Sequence, residues 1–384
     1  MKFGGSSLAN SKYINRVASL IKATKNQGYS PVVVVSAMYG DTDRLIGLGS
    51  SVSDDGHSHS EAFDFLVSAG EHVSAGLLCM ALEKIDCKAR PKNALQAGIQ
   101  LSVSDQEIPS IIFDRINIQR DVEDKVVQVI TGFQATNANH RITTLGRGGS
   151  DLSAVALAAE LECECRIFTD VSGVYSVDPK LYPNAKRISR VPIDMMRFMS
   201  RFGAKVLQYK ALAYADYKQV PLRVMSTFSP DEGSQVVYNG IASSHRLAVQ
   251  FLDDQSYFKV KASADDLLRF DQRLTLMDQA ILCSKSDTQS LSVVCDRSNA
   301  NDIRTFIQHG DGIESFEQKQ VALVTVIGSN DLAGLPERLH LAMDVFHSKQ
   351  VTSFVVDMAE KMNVIDLLVS RLELLESSKQ VERA

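Results

Sequence analysis

The 384-residue sequence lacks the patterns that most quickly identify a nucleotide or metal enzyme. It has no GxxxxGK[ST] phosphate loop and none of the protein-kinase signatures. Its six cysteines contain no CxxC pair and no partnering histidine cluster, so a zinc site or disulfide framework is not expected; they read as reduced thiols serving as small apolar residues. Positive charge is not in excess: 41 Lys and Arg stand against 46 Asp and Glu, a net charge of −5, which argues against nucleic acid as the main partner. The longest strongly apolar run is Val32–Val35 with its neighbours. That is far short of the roughly 20 residues needed to span a bilayer, and the N-terminal residues have no secretory apolar core. A cytoplasmic protein with no membrane partner is therefore expected.

Glycine and proline are scarce in one part of the chain. Eighteen of 22 glycines and eight of nine prolines precede residue 241, and neither occurs from Ile241 to His309. Glycine-dense chain suits backbone that approaches a ligand; chain without it suits regular packed elements. A boundary near Gly240 follows, giving domains over 1–240 and 241–384.

The first part alternates strand and helix signals. Ile14, Val17, Ala18 and Ile21 recur at helical spacing between Asn10/Ser11 and Gly28, and Phe63 to Leu82 predicts a long apolar helix. Val32–Val35, Val127–Ile130, Arg166–Thr169 and Leu222–Met225 read as short strands, the first as one buried on both faces of a parallel sheet. The expected class is α/β, a sheet with helices on both faces and ligands at the carboxyl ends of its strands. In the second part, strands are expected at Tyr257–Ala262, Ser290–Cys295, Val321–Ile327, Thr352–Val356 and Val364–Val369, and helices near 264–272, 299–308, 335–348 and 371–379. That is a split βαβ pattern roughly twice over, as in ferredoxin-like modules.

Two glycine clusters stand out. Lys2-Phe3-Gly4-Gly5-Ser6-Ser7 precedes the first helix; its glycines let amides converge on an anion and Lys2 adds a charge, although a Gly-Gly turn alone is often structural. Thr143 to Asp151 places Gly146, Arg147, Gly148 and Gly149 before a helix, where amides and a two-point guanidinium favour an anion. An N-cap by Ser150 or Asp151 is the structural alternative. Glu71 lies on an apolar helical stripe with Val67, Ser74, Ala75 and Leu78, and a buried carboxylate needs a partner. A substrate ammonium and an internal Lys or Arg are equally open. Thr169 to Lys180 could pack a purine and touch phosphates, or be no more than a turn; Lys205 is a lone lysine.

In order, Lys2–Ser7, Val33–Met38, Gly70-Glu71, Thr143–Asp151, Thr169–Lys180, Phe202–Leu207 and Arg223–Phe228 resemble the motifs of the aspartokinases of the amino-acid kinase family, over residues 1–240. The C-terminal part is more weakly similar to that family's paired ACT modules, tandem or interleaved. The resemblance implies an amino-acid kinase fold and Mg²⁺- and ATP-dependent phosphorylation of the β-carboxylate of L-aspartate to 4-phospho-L-aspartate, the first step toward lysine, threonine and methionine. It implies that Lys2, Phe3, Gly4, Gly5 and Ser6 hold the transferred phosphates. Thr169, Asp170, Tyr175, Ser176, Val177, Asp178, Pro179, Lys180, Lys205 and Val206 would line the nucleotide site. Ser36, Thr42, Glu71, Arg147, Gly148, Gly149 and Ser150 would form the aspartate site, with Lys2, Asp151 and Lys205 as the catalytic set and Asp151 orienting Lys2. No residue is assigned to a metal. A homodimer or higher oligomer through the ACT modules is implied, with lysine or threonine as a possible effector.

The chain departs from the family pattern at several points. Only Met1 precedes Lys2, so the first strand is expected to be clipped or supplied differently. Lys180 replaces an arginine, Gln208-Tyr209 replaces His-Pro, and Ala135 and His140 stand where glycine is common. The effector segments Ser263–Asp266 and Ser329–Gly334 lack much of the usual Pro-Gly turn, so dimerisation is expected before feedback inhibition. Alternatives are another amino-acid kinase, or a catalytically weak amino-acid-binding regulatory subunit.

Overall fold

The computed structural model describes residues 1–52, 60–102, 110–146, 148–238, 248–275, 281–310, 312–328, 341–348 and 350–381. Contacts divide the chain into two compact units. The first contains Met1–Val174, Arg187–Arg197 and Lys205–Gly240; the second contains Tyr175–Lys186, Phe198–Ala204 and Ile241–Ala384. The two short excursions into the second unit are not part of a linear division at Gly240.

In chain order the first part forms β1 (Lys2–Phe3), α1 (Ser11–Asn26), β2 (Val32–Val35), α2 (Asp41–Val52), α3 (Glu61–Val67), α4 (Ala69–Glu83), β3 (Ala89–Lys92), α5 (Ala94–Ala97), β4 (Ile99–Ser102) and β5 (Ser110–Phe113). There follow α6 (Arg115–Glu123), β6 (Val127–Thr131), β7 (Gln134–Thr136), β8 (Ile142–Thr144), α7 (Gly149–Glu160), β9 (Cys165–Thr169), β10 (Val174–Tyr175), β11 (Arg187–Ile188), β12 (Arg190–Pro192), α8 (Ile193–Arg201), α9 (Tyr209–Lys218), β13 (Leu222–Ser226) and β14 (Ser234–Val237).

Eight strands form the main sheet in the order β12-β14-β13-β9-β1-β2-β6-β3. All neighbours are parallel except β13 and β14. Short as it is, β1 pairs on both sides, Lys2 opposite Val34 and Ile167. Because β2 leaves to one side and β9 arrives on the other, β1 marks a switch point where an open α/β sheet leaves a crevice beyond its carboxyl edge. Phe3 faces one layer, with Ile14, Val17 and Ile21 of α1 and Ala75, Leu78 and Leu82 of α4, and stacks on Phe168 at 4.7 Å. Lys2, one residue away, projects to the other face, which α7 covers.

Asn10 caps α1 by accepting from the Tyr13 N–H (3.0 Å), and Gly28, at φ +92°, lies just past its end. The stretch Glu61–Glu83 is long and apolar enough by length and composition to cross a membrane, yet 56% of that apolar window is buried inside the protein. A smaller sheet, β5-β4-β7-β8, was not foreseen from the sequence. At the edge of the main sheet the Asp121 carboxylate, 2% exposed, lies 2.6 Å from the Lys92 ammonium and also pairs with Arg90.

The second unit contains β15 (Ala248–Ala262), α10 (Ala264–Thr275), β16 (Ile281–Ser286), β17 (Ser290–Cys295), α11 (Ala300–Gln308), β18 (Ile313–Ile327), β19 (Ala342–His347), β20 (Val351–Val356) and α12 (Lys361–Val381). They build one antiparallel sheet, β16-β17-β15-β18-β20-β19. The long strands β15 and β18 pair along their length, with a register shift between Leu252 and Gln255. One half of each belongs to a βαββαβ module with α10 and α11, around Phe258, Leu267 and Ile303. The other halves, with β19, β20 and α12, enclose Val324, Phe354 and Ile365. The modules are thus interleaved rather than tandem.

Two expectations are corrected. Val364–Val369 is not a strand but part of α12: Val364, Ile365 and Leu368 are buried at helical spacing, so the β-branched pair misleads. Of the helix expected at 335–348, residues 335–340 lie outside the described residues and Ala342–His347 is strand β19, whose alternation is masked by half-buried Asp344, held by Tyr257 and Lys285. The effector segment 329–334 also lies outside the described residues.

Replacing Asp121 by Ala leaves the buried Lys92 ammonium without its counter-charge, with only the Asn117 side chain and carbonyl as acceptors. The expected cost is about 3–5 kcal/mol, read as a lowered urea midpoint for the unfolding of the first unit.

Candidate functional site

The carboxyl edge of the parallel strands gathers five segments of the first unit: Gly4-Gly5 after β1, Ser36 after β2, Gly132 after β6, Asp170 after β9 and Thr227 after β13. Their spacing is set by main-chain bonds between neighbours. The Gly4 N–H donates to Phe168 O (3.4 Å), Ser36 N–H to Phe3 O (3.1 Å), Gly132 N–H to Val35 O (2.9 Å) and Thr227 N–H to Thr169 O (2.9 Å). Beneath them the Ser7 and Thr227 hydroxyls share a 2.6 Å hydrogen bond.

Lys2 is 9% exposed, and its ammonium is 2.7 Å from Asp151 Oδ1. The reading of Asp151 or Ser150 as a cap is overturned: the N-cap of α7 is Gly148, left-handed at φ +76°, with no side-chain cap bond. Asp151 instead faces Lys2 and accepts from the Gln208 N–H through Oδ2 (3.3 Å). Gly4 lies close beside this pair, since a Cβ there would stand 3.4 Å from Lys2 Nζ. Gly5 packs its α-carbon toward Ala37 O, where a Cβ would come to 3.0 Å. Phe3 contributes only backbone, because its side chain belongs to the core. Ser6 lies half-buried in the 3-10 turn Gly5–Leu8.

Glu71, in the first turn of α4, is 3% exposed. Its Oε1 accepts from the Ala37 N–H (2.9 Å), while Oε2 is buried with no hydrogen-bond partner among the described residues. Burial pushes this carboxyl from 4.5 up to about 7; the hydrogen bond from Ala37 and the nearby charge of Lys2 oppose the rise. Of the two partners the sequence left open, no internal Lys or Arg is bonded to Glu71 among the described residues. The orphan oxygen is suited to a ligand cation. The tight seat of α4 requires Gly70, where a Cβ would meet Ala37 Cβ at 2.7 Å.

The second glycine cluster is held at several points. Leu145 N–H donates to Phe133 O (2.8 Å), Gly149 N–H to Gly146 O (2.9 Å), and the Ser153 hydroxyl to Gly149 O (2.9 Å). Gly148 sits under Gln208, whose Cγ a Cβ would meet at 1.9 Å, and Gly132 sits under Ser150, which a Cβ would meet at 2.8 Å. Gly148, Gly149, Ser150 and Asp151 are therefore brought to the same edge as Lys2. Arg147 lies outside the described residues. Thr42 is half-buried in the first turn of α2, and Ser36 is half-buried after β2.

Thr169 and Asp170 end β9, joined by a 3.0 Å side-chain hydrogen bond. Lys205 is exposed and Val206 half-buried on the segment entering α9. Tyr175, Ser176, Val177, Asp178, Pro179 and Lys180 belong to the second unit. There Val177 is buried with Val249 and Phe354, Ser176 O accepts from the Val249 N–H (2.8 Å), and Lys180 N–H donates to Asp178 Oδ1 (2.8 Å). No group of three or more His, Cys, Asp or Glu suited to a metal occurs among the described residues. Three buried contacts near the site escaped the sequence reading: the Ala37 amide on Glu71, the Gln208 N–H on Asp151, and the Asp64 carboxylate on Thr143 and Thr144. Only Asp64 carried a signal, a second carboxylate on the apolar helix seven residues before Glu71.

The amino acid kinase family model matches residues 1–226. The aspartokinase of Pseudomonas aeruginosa is 40% identical over 236 residues, 61% of this chain; the chain spans 57% of that relative's length. The aspartokinase of Corynebacterium efficiens is 32% identical over 352 residues, covering 85% of this chain and 82% of the relative. Among solved structures, E. coli aspartokinase III in complex with aspartate and ADP (R-state) is similar in fold, with a TM-score of 0.77 at 21% identity, over 95% of this chain and 97% of that one. A family model covering most of the first unit, together with a relative matched along most of its length, makes this chain a member of the amino acid kinase family, within its aspartokinases.

Proposed function

We propose that the chain is an ATP-dependent aspartate kinase that forms 4-phospho-L-aspartate, the first step toward lysine, threonine and methionine. The observation that carries this reading is Glu71, a carboxylate 3% exposed whose second oxygen has no partner among the described residues, on the edge that also holds Lys2 and the start of α7. An α-ammonium group satisfies that oxygen. An acetylated amino acid or a nucleotide acceptor does not, so a free α-amino acid is favoured. Arg147, with Gly148, Gly149 and Ser150, would take the α-carboxylate, and Thr42 and Ser36 would flank the side chain.

The chemistry asks little of proton transfer. An aspartate β-carboxylate, with a pKa near 3.9, is already ionised. Its oxygen attacks the γ-phosphorus of Mg·ATP, the bond from that phosphorus to the bridging oxygen breaks, and ADP leaves. The obstacle is bringing two anions together, which calls for alignment and fixed positive charge. Lys2, kept in place by Asp151, supplies that charge beside the Gly4-Gly5 amides, and Lys205 would add a second cation. Magnesium would enter on the triphosphate rather than in a cage of protein ligands. Thr169, Asp170 and Val206 would contact the nucleotide. A cytoplasmic homodimer through the second unit belongs to the same proposal. At its first loop the Ser263 hydroxyl donates to Asp266 (2.6 Å) and accepts from the Asp266 N–H (3.3 Å), capping α10.

The test is incubation with Mg·ATP, L-aspartate and hydroxylamine. Aspartyl hydroxamate should form from aspartate and not from glutamate; amino-acid binding without turnover would instead support a regulatory subunit. Lys2→Ala should mainly lower kcat and Arg147→Ala mainly raise KM for aspartate, and unchanged parameters in both would remove the assignment.

Glu71 gives a pH signature. With its carboxyl raised to about 7, the native state holds more protons than the unfolded chain between the ordinary value and about 7, so this group's contribution to stability falls as pH rises through that window. Binding an ammonium needs the ionised form and expels the proton. KM for aspartate should fall as pH rises from 6 to 8, by up to about tenfold with most of the change below 7, and level off above. In Glu71→Gln it should be higher and flat with pH.

A further inference from the structure

Asp64 is a buried carboxylate that the phosphoryl-transfer reading leaves unused. It lies in the first turn of α3 at 9% exposure. Its two oxygens accept from consecutive residues: the Thr144 hydroxyl donates to Oδ1 (2.7 Å) and the Thr143 hydroxyl to Oδ2 (3.1 Å). In a regular strand neighbouring side chains point to opposite faces. One carboxylate can therefore collect both hydroxyls only where the strand turns, and this is where β8 ends and the chain enters Leu145, Gly146 and the loop before α7. Leu145 N–H, bonded to Phe133 O, holds the next residue. Asp64 thus fixes the start of the loop whose far end carries Gly148, Gly149 and Asp151.

The same helical run carries Glu71. Asp64 and Glu71 are seven residues apart within Glu61–Glu83, two turns and about 10 Å along one face. The junction between α3 and α4 is itself tied down: the Gln134 side chain, fully buried after β6, donates to Ser68 O (2.8 Å) and accepts from the Thr131 hydroxyl (3.1 Å). Two consecutive helices, joined at this tied junction, therefore aim one carboxylate at the Ala37 amide and the other at the root of the glycine loop.

We propose that Asp64 is a positioning residue for the amino-acid site. It sets the span between Glu71, which takes the ammonium, and Gly148–Ser150 at the start of α7, which take the α-carboxylate, without touching the substrate. This rests on the aspartate-kinase reading for the identity of the ligand. A carboxylate serving only fold stability would weaken every function of the protein together; a positioning residue moves amino-acid affinity alone.

The experiment uses the full chain and four variants: Asp64→Ala, Asp64→Asn, the pair Thr143→Val with Thr144→Val, and that pair combined with Asp64→Ala. Aspartate and Mg·ADP affinities are each measured by calorimetry, alongside hydroxamate formation. Asp64→Ala should weaken aspartate binding at least about tenfold while Mg·ADP binding stays within about twofold. Asp64→Asn, whose amide can accept from one threonine and donate to the other, should keep aspartate binding within about threefold of the parent. Adding Asp64→Ala to the valine pair should cost little more, because the interaction is already gone. Unchanged aspartate affinity in Asp64→Ala, parallel losses for aspartate and Mg·ADP, or additive losses in the combined variant would each overturn the proposal. If Asp64→Ala does not fold, the valine pair and Asp64→Asn carry the same contrast. Absence of turnover in the parent, with aspartate still bound, would count against the kinase reading and leave the binding comparison decisive for Asp64.

Discussion

An ammonium taken out of water costs several kcal/mol unless an anion compensates it, and the site is arranged around that requirement. Lys2 lies between two parallel strands, nearly buried, with Asp151 at 2.7 Å. Asp151 comes from the first turn of α7, so the ion pair joins the central strand to the helix covering that face. Three glycines then become obligatory for steric reasons. Gly132 lets α7 approach β6, Gly148 lets Gln208 lie across the start of α7, and Gly70 lets α4 bring Glu71 against Ala37. The glycine density of the first part thus reflects helices pressed onto the carboxyl edge as well as amides turned toward a phosphate.

Two carboxylates on this edge meet opposite fates. Asp151 has a lysine and a main-chain N–H. Glu71 has one main-chain N–H and an oxygen without a partner among the described residues, and burial holds its proton to about pH 7. The contrast separates a group whose partner is built into the fold from one whose partner must come from solution. On the aspartate-kinase proposal, the buried acid would serve the ligand's ammonium, while its carboxylates would fall to the amides and cations of the same edge.

Much of this was legible in the sequence, for definite reasons. Continuous β-branched runs such as Val32–Val35 identify doubly covered strands, and clusters such as Gly146–Gly149 exceed what a helix cap needs. Glu71 stood out as a charge on an apolar stripe. What stayed hidden depends on contacts between distant residues. Nothing near Val177 indicates that it packs with Val249 and Phe354, so the segment from Tyr175 reads as a loop of the first domain. Asp344 conceals β19 because its partners Tyr257 and Lys285 lie on other strands. Residue spacing alone offers Asp151 as a cap because its partner Lys2 is 149 residues away; it was the family resemblance that paired them.

The interleaving of the second unit has a consequence for how the chain is made. Ala248 pairs with Ile327, and Ala262 with Ile313, so β15 cannot be completed until nearly the whole region has been synthesised. The half-module that ends in α12 takes an outer strand from the start of β15, which precedes everything else in it. Pairings of such long sequence separation form slowly. A truncation before β18 takes strand from both modules at once, whereas one between β18 and β19 removes only β19, β20 and α12.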